Sequence, residues 1–288
     1  MDDTLVTSPL QISKRKRLNQ RSKTIIYLVL GLTFLLLIAV AGTLLSHAAI
    51  TTNFMQKNLL PSLQYPFGTD WLGRDMLART LRGLSISIVI GLFASFISAM
   101  IAAILGTAAA TLGKTVDEVI TWLVDLVMGI PHLLLLILIS FALGKGTFGV
   151  IVAVAISHWP ALTRVIRAEI LQLKETNYVK IAGKMGRGKL EIAVKHMVPH
   201  VFPQFLVGLI LLFPHAILHE AALTFLGFGL PPEQPGIGII LSESMRYLSL
   251  GMWWLAVFPG LALLITVLLF DLAGGSLRKL IDPYSAQD

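Results

Sequence analysis

Apolar residues in this chain come in long blocks, and polar residues collect between the blocks. Apolar segments cover residues 25–46, 84–112, 119–143, 148 up to the Arg164/Arg167 pair, 201–228 and 252–273. A helix of about 20 apolar residues crosses the hydrocarbon core of a bilayer. Backbone in lipid must satisfy its own hydrogen bonds, so such blocks are helices. The pattern predicts an all-α integral membrane protein with six transmembrane helices. Its parts are a basic tail (1–24), a first span (25–46), a mixed segment (47–83), a five-span core (84–283) and a short tail (284–288).

Composition agrees. Of 288 residues, 55% are hydrophobic and only 14% charged, where soluble domains have about 25% charged. The net charge of +7 is spread over the inter-span segments, so it points to membrane topology and away from nucleic acid. Segments 1–24, 113–118, 164–200 and 274–288 hold 17 Lys/Arg, against 6 in 46–83, 144–147 and 229–251. The positive-inside rule then places both termini in the cytoplasm and the chain in the cell membrane. The first block exceeds the ~7–15 residues of a signal-peptide core, so it is expected to stay as a span. The absence of cysteine excludes disulfides, thiolate metal sites and a cysteine nucleophile.

The segment 164–199 holds eight of the 23 Lys/Arg. Tyr178, Ile181/Ala182 and Met185 have helical spacing, Gly186 and Gly188 break it, and Leu190, Ala193, Val194 and Met197 resume it. Pro199 is expected to end this second helix before the fifth span. A basic amphipathic helix pair of this kind rests on anionic headgroups or docks in a groove of another protein.

Within that pair, Tyr178-Val179-Lys180-Ile181-Ala182, Gly186 and His196-Met197-Val198-Pro199 resemble the EAA loop of binding-protein-dependent ABC importer permeases. Lys180 stands at the Glu position and Ile181 at the first Ala, while Ala182, Gly186 and Pro199 match. Three further segments are similar to the dipeptide, oligopeptide and nickel branch. They are FGTDWLGRDMLAR (67–79), EAALTFLGFGLPPEQPGIG (220–238) and FPGLALLITVLLFDLAGGSLRKLIDP (258–283). The first carries Gly68, Thr69, Asp70, Gly73, Arg74 and Asp75 of the family signature.

The resemblance implies a permease subunit that pairs with a second, homologous permease. It implies one or two ABC ATPase subunits and an extracytoplasmic solute-binding protein as further partners. The coupling residues would be Tyr178, Lys180, Ile181, Ala182, Gly186, His196 and Pro199. Lys180 suggests an ATPase groove more acidic at that point than a Glu would meet. The sequence contains no G-x-x-x-x-G-K-[ST] phosphate loop, and Gly144-Lys145-Gly146-Thr147 is too short for one. No cofactor is expected in this chain, and ATP and Mg²⁺ would belong to the ATPase.

Ionisable residues within spans are functional candidates. Asp125 and Asp271 have salt bridging or snorkelling as the plain reading. His215 and His219 are four apart and share a helix face, next to Glu220 and to Pro214, which is expected to kink the helix. Interhelical hydrogen bonding, a pathway for a metal complex and zinc-protease catalysis are the competing roles. The last fails because Leu223 replaces the second histidine of H-E-x-x-H. The nickel branch also carries a histidine at the His219 position and a sequence like Ser157-His158-Trp159. The substrate expectation is therefore nickel, cobalt or a metal–metallophore complex ahead of a di- or oligopeptide. An ion-gradient transporter and an intramembrane hydrolase using Asp125 and Asp271 are the alternatives.

Overall fold

The structure is a computed structural model that describes residues 20–281. The basic run at 14–17 and the tail at 284–288 lie outside the described residues. The described residues form eleven α-helices: α1 (Gln20–Leu44), α2 (Ser46–Ile50), α3 (Met76–Thr111), α4 (Lys114–Gly129), α5 (His132–Ala142), α6 (Gly146–Lys174), α7 (Asn177–Lys184), α8 (Lys189–Ile192), α9 (Val198–Phe225), α10 (Ile237–Leu248) and α11 (Trp254–Ile281). Among the described residues, five helices are long and apolar enough to span a bilayer, and α4 with α5 is a bent pair that counts as a sixth if the two halves are one span.

α3 is the centre of the bundle and packs on α1, α6 and α9. Its 36 residues reach ~54 Å at 1.5 Å each, more than a ~30 Å hydrocarbon core requires. It begins at Met76, eight residues before the predicted second span, because Asp75 caps it. The Asp75 carboxylate accepts from the backbone N–H of Leu77 (2.8 Å) and Ala78 (3.4 Å), two donors that a helix start leaves orphaned. Close packing comes from small residues. Ala94, Ala99 and Ala102 are fully buried. A Cβ on Gly106 would lie 2.9 Å from Ile166 Cγ2 and 3.0 Å from the Thr163 carbonyl, so this glycine sets how near α6 approaches. Outward positions such as Phe93, Phe96, Trp122, Leu138, Phe148 and Leu264 are exposed, as a lipid-facing surface requires.

Two expectations need correction. The third span (119–143) is not one helix, since it breaks at Ile130-Pro131 and its halves meet at 97°. Pro131 lacks an N–H and forces the residue before it out of the helical region; Ile130 is extended at φ −90°, ψ 134°. Nor does Pro199 end the second loop helix. α8 runs through a π turn (Ala193–Met197) straight into α9, with Pro199 in that helix's first turn. Proline is tolerated there because a first-turn N–H has no intrahelical partner to lose. The helix also continues across Pro203 and Pro214.

At the end of the bundle near residues 57–79, a polar knot holds the 47–83 segment. Asp70 is fully buried. One of its oxygens accepts from the N–H groups of Leu72 and Arg74, both at 2.9 Å. The other accepts from Arg74 Nε and Arg79 Nη1, both at 2.7 Å. Arg79 Nη2 continues to Glu243 on α10 at 2.9 Å. Thr69 Oγ1 donates to the Gln56 carbonyl (2.5 Å) and accepts from Leu59 N–H (2.8 Å). Gly68 and Gly73 adopt φ of +71° and +73°, where a side chain is strained. The six signature residues are thus brought together, as a structural clasp.

Candidate functional site: a histidine-lined cavity and a coupling face

The break in the third span opens a cavity of about 620 Å³ between α4, α5, α6 and α9. Irregular backbone at membrane depth is tolerated where it lines such a cavity. Gly129, Ile130 and Pro131 form one wall, and His132, His158, His215 and His219 project from the others. Three rings converge. Their centroids are 4.6 Å apart for His132 and His158, 4.5 Å for His132 and His219, and 4.9 Å for His158 and His219. One ring nitrogen from each lies within 4.8 Å of the others.

One backbone and one side-chain contact orient His158. Its Nδ1 lies 2.8 Å from the Val154 carbonyl and 2.9 Å from Ser157 Oγ. A carbonyl only accepts, so Nδ1 carries the proton and Nε2 keeps its lone pair. Nε2 of His158 and Nε2 of His132 are buried and meet no hydrogen-bond partner among the described residues.

The structure separates the three pathway candidates. His215 and His219 line the cavity, with His219 in the trio and His215 one turn away and exposed. Glu220 does not line it. It is fully buried, and its Oε1 accepts from Thr224 Oγ1 at 2.9 Å, while that hydroxyl accepts from Leu230 N–H at 3.2 Å. Glu220 therefore anchors the turn that follows α9. His132 was missed in the sequence because it lies in an apolar run, although the Ile130-Pro131-His132 break was a visible signal. Asp125 pairs with Arg164 at 2.5 Å, and Arg167 pairs with Asp117 at 2.5 Å. The plain ion-pair reading of Asp125 holds, which removes it from a catalytic pair with Asp271.

At the end of the bundle opposite the clasp, α6 extends to Lys174, whose Nζ donates to the Ala110 carbonyl at the end of α3 (2.8 Å). The basic segment therefore leaves the bundle after Lys174, ten residues later than Arg164. On α7, Val179 and Ala182 turn inward to a cluster with Ile170, Ala193 and Met197. Tyr178, Ile181 and Met185 face outward and are exposed. Gly186, at φ +81°, closes the helix in the left-handed conformation common at helix C-termini. Tyr178 meets His196 edge-on at 6.4 Å, and Arg187 approaches His196 at 3.3 Å. Lys180 pairs with Glu175 at 2.8 Å, and its hydrogen bond holds that carboxyl below the ordinary value. Pro199 is exposed at the root of α9.

Residues 102–284 match the family described as binding-protein-dependent transport system inner membrane component. The chain belongs to that family. A putative peptide transport system permease of Brucella suis is 36% identical over 280 residues, 96% of this chain and 92% of the relative. The dipeptide transport system permease DppC of Bacillus subtilis is 32% identical, over 88% of this chain and 79% of its own length. The oligopeptide permease OppC of the same organism is 36% identical, over 81% and 76%. An inward-facing structure of the MetNI methionine ABC transporter aligns with TM-score 0.59 at 18% identity, over 72% of this chain and 98% of that one, a likeness of fold. This permease is thus a multi-pass inner-membrane component of an ABC importer, which works with an ATPase and a solute-binding protein. The family is a transport component and not an enzyme, so both alternatives, the ion-gradient transporter and the hydrolase, fall away.

Proposed function

We propose that this permease forms half of a two-permease pathway, with both termini in the cytoplasm and α7 seated in a groove of a partner ATPase. The carrying observation is the outward face of α7. Its exposed Tyr178, Ile181 and Met185 stand on a segment rooted in the core by Val179 and Ala182. Exposed apolar positions at i, i+3 and i+7 are what a groove on another protein recognises. ATP and Mg²⁺ bind the ATPase, and its closure moves α7 and the helices joined to it. A Tyr178→Ala/Ile181→Ala double variant is expected to lose ATP-dependent uptake in proteoliposomes while the subunit still inserts. Uptake that needs no ATPase subunit would refute the assignment.

The solute delivered to this pathway is small and peptide-like. The names of the relatives, among them a dipeptide and an oligopeptide permease, support that reading. A solute carrying nickel or cobalt is the second reading, favoured by the imidazole-lined cavity. Parallel uptake of labelled dipeptide, nickel chloride and a nickel–histidine chelate by the reconstituted complex separates the two.

A further inference from the structure

We infer that His132, His158 and His219 form a coordination site for a late first-row divalent transition metal passing through the cavity as cargo. The inference deepens the second substrate reading and rests on the assignment of this cavity to the pathway. The three residues come from three helices, the first turn of α5, the middle of α6 and the outer half of α9. They are 26 and 61 residues apart in sequence, so only the fold brings them together. Helix glue would spend the ring nitrogens on neighbouring hydroxyls or carbonyls. Here two buried Nε2 atoms have no partner among the described residues.

Geometry and chemistry agree on the ligand. Imidazole binds such ions at ~2.0–2.1 Å, which puts neighbouring donors of a tetrahedral site ~3.3 Å apart. The three nitrogens lie within 4.8 Å of one another, so modest ring rotation closes the set. The Val154 carbonyl fixes the His158 tautomer that leaves Nε2 free, the device by which second contacts orient metal-binding histidines. Among the described residues, no Asp or Glu lines the cavity. Calcium and magnesium ask for oxygen donors, whereas imidazole suits nickel, cobalt, copper and zinc. Three neutral ligands leave coordination positions open. The cargo is therefore an ion that keeps part of a small chelator, and amine and carboxylate donors would give such a chelator the chemistry of a short peptide. His215, one turn along α9 in the same cavity, is the next donor in line.

The test is optical and needs no transport. The assembled, detergent-solubilised complex is titrated with Co²⁺ and its d–d absorption followed. The expected result is saturable binding, weakened at least about tenfold by His132→Ala, His158→Ala or His219→Ala. The chain has no cysteine, so His219→Cys is expected to keep Co²⁺ binding and to add a thiolate-to-metal band in the near ultraviolet. That band also shows that the variant has folded. Absence of saturable Co²⁺ binding in the native complex, alanine variants that bind as the native complex does, or a Cys variant without the new band would each overturn the site. None of these readouts involves ATP or uptake, so failure here is separate from failure of the ATP-driven importer assignment.

Discussion

Two polar clusters in this permease make different use of buried polar atoms. Around Asp70, both carboxylate oxygens are bonded, to two backbone N–H groups and two guanidinium groups within 2.9 Å, although Arg74 Nη2 and Arg79 Nε are buried without a hydrogen-bond partner among the described residues. Around His158, two imidazole nitrogens are buried with no partner among the described residues. A buried polar group without a partner costs about 1–3 kcal/mol, a cost that both clusters carry. The first cluster holds the 47–83 segment to α3 and α10. The second is aimed into a cavity. What tells site from clasp is that three imidazoles converge on a cavity, whereas the guanidinium groups close on a carboxylate.

The contrast breaks if the two respond alike to mutation. The largest effect is expected for Asp70→Ala. It takes from Arg79, which is 2% exposed, one of its two carboxylate partners and leaves Glu243 as the other, and losing one partner of such a buried pair costs about 3–5 kcal/mol. Thermal unfolding of the purified complex reads this as a large drop or as failure to insert. Gly106→Val comes next, because its side chain meets Ile166 and the Thr163 carbonyl; overpacking of this kind costs about 1–3 kcal/mol. Thr224→Val removes the donor to Glu220 and the acceptor for Leu230 N–H and should cost about 1–3 kcal/mol in the same assay. Ser157→Ala sharpens the comparison from the other side. Unfolding should be nearly unchanged, while Co²⁺ affinity falls about tenfold as His158 loses a positioning contact. Smallest in stability is Lys180→Glu, which replaces an exposed ion pair with a repulsive one. It should leave unfolding unchanged and alter ATPase co-purification. Unaltered docking would dismiss the acidic-groove idea.

Much of this was legible in the residues. Apolar blocks disclosed the spans, and the ordered motifs at 67–79, 220–238 and 258–283 disclosed the family. The loop's period disclosed α7, although only packing could divide its stripe into an inward Val179/Ala182 side and an outward Tyr178/Ile181/Met185 side. What stayed hidden depended on contacts distant in sequence. Arg79 and Glu243 are 164 residues apart, and neither has a local signal for the other. His132 was masked by the leucines and isoleucines after it, which read as one continuous span. The break before it followed from Pro131, a local rule outweighed by hydropathy. Pro199 misled in the opposite sense, because a π turn upstream let the helix absorb a residue that usually stops one.

That continuity has a mechanical consequence. The loop helix α8, the π turn and α9 form a single shaft from the docking segment to the cavity. From Val198 to His219 it is ~32 Å long at 1.5 Å per residue. A lever of that length, tilted by about 5° at its root, swings its far end by about 3 Å. A metal–nitrogen bond of ~2 Å cannot stretch so far. If the three histidines hold an ion as proposed, a small rotation of this shaft is enough to prise His219 from it while His132 and His158 still hold on, so one stroke both turns the helix and lets go of the cargo.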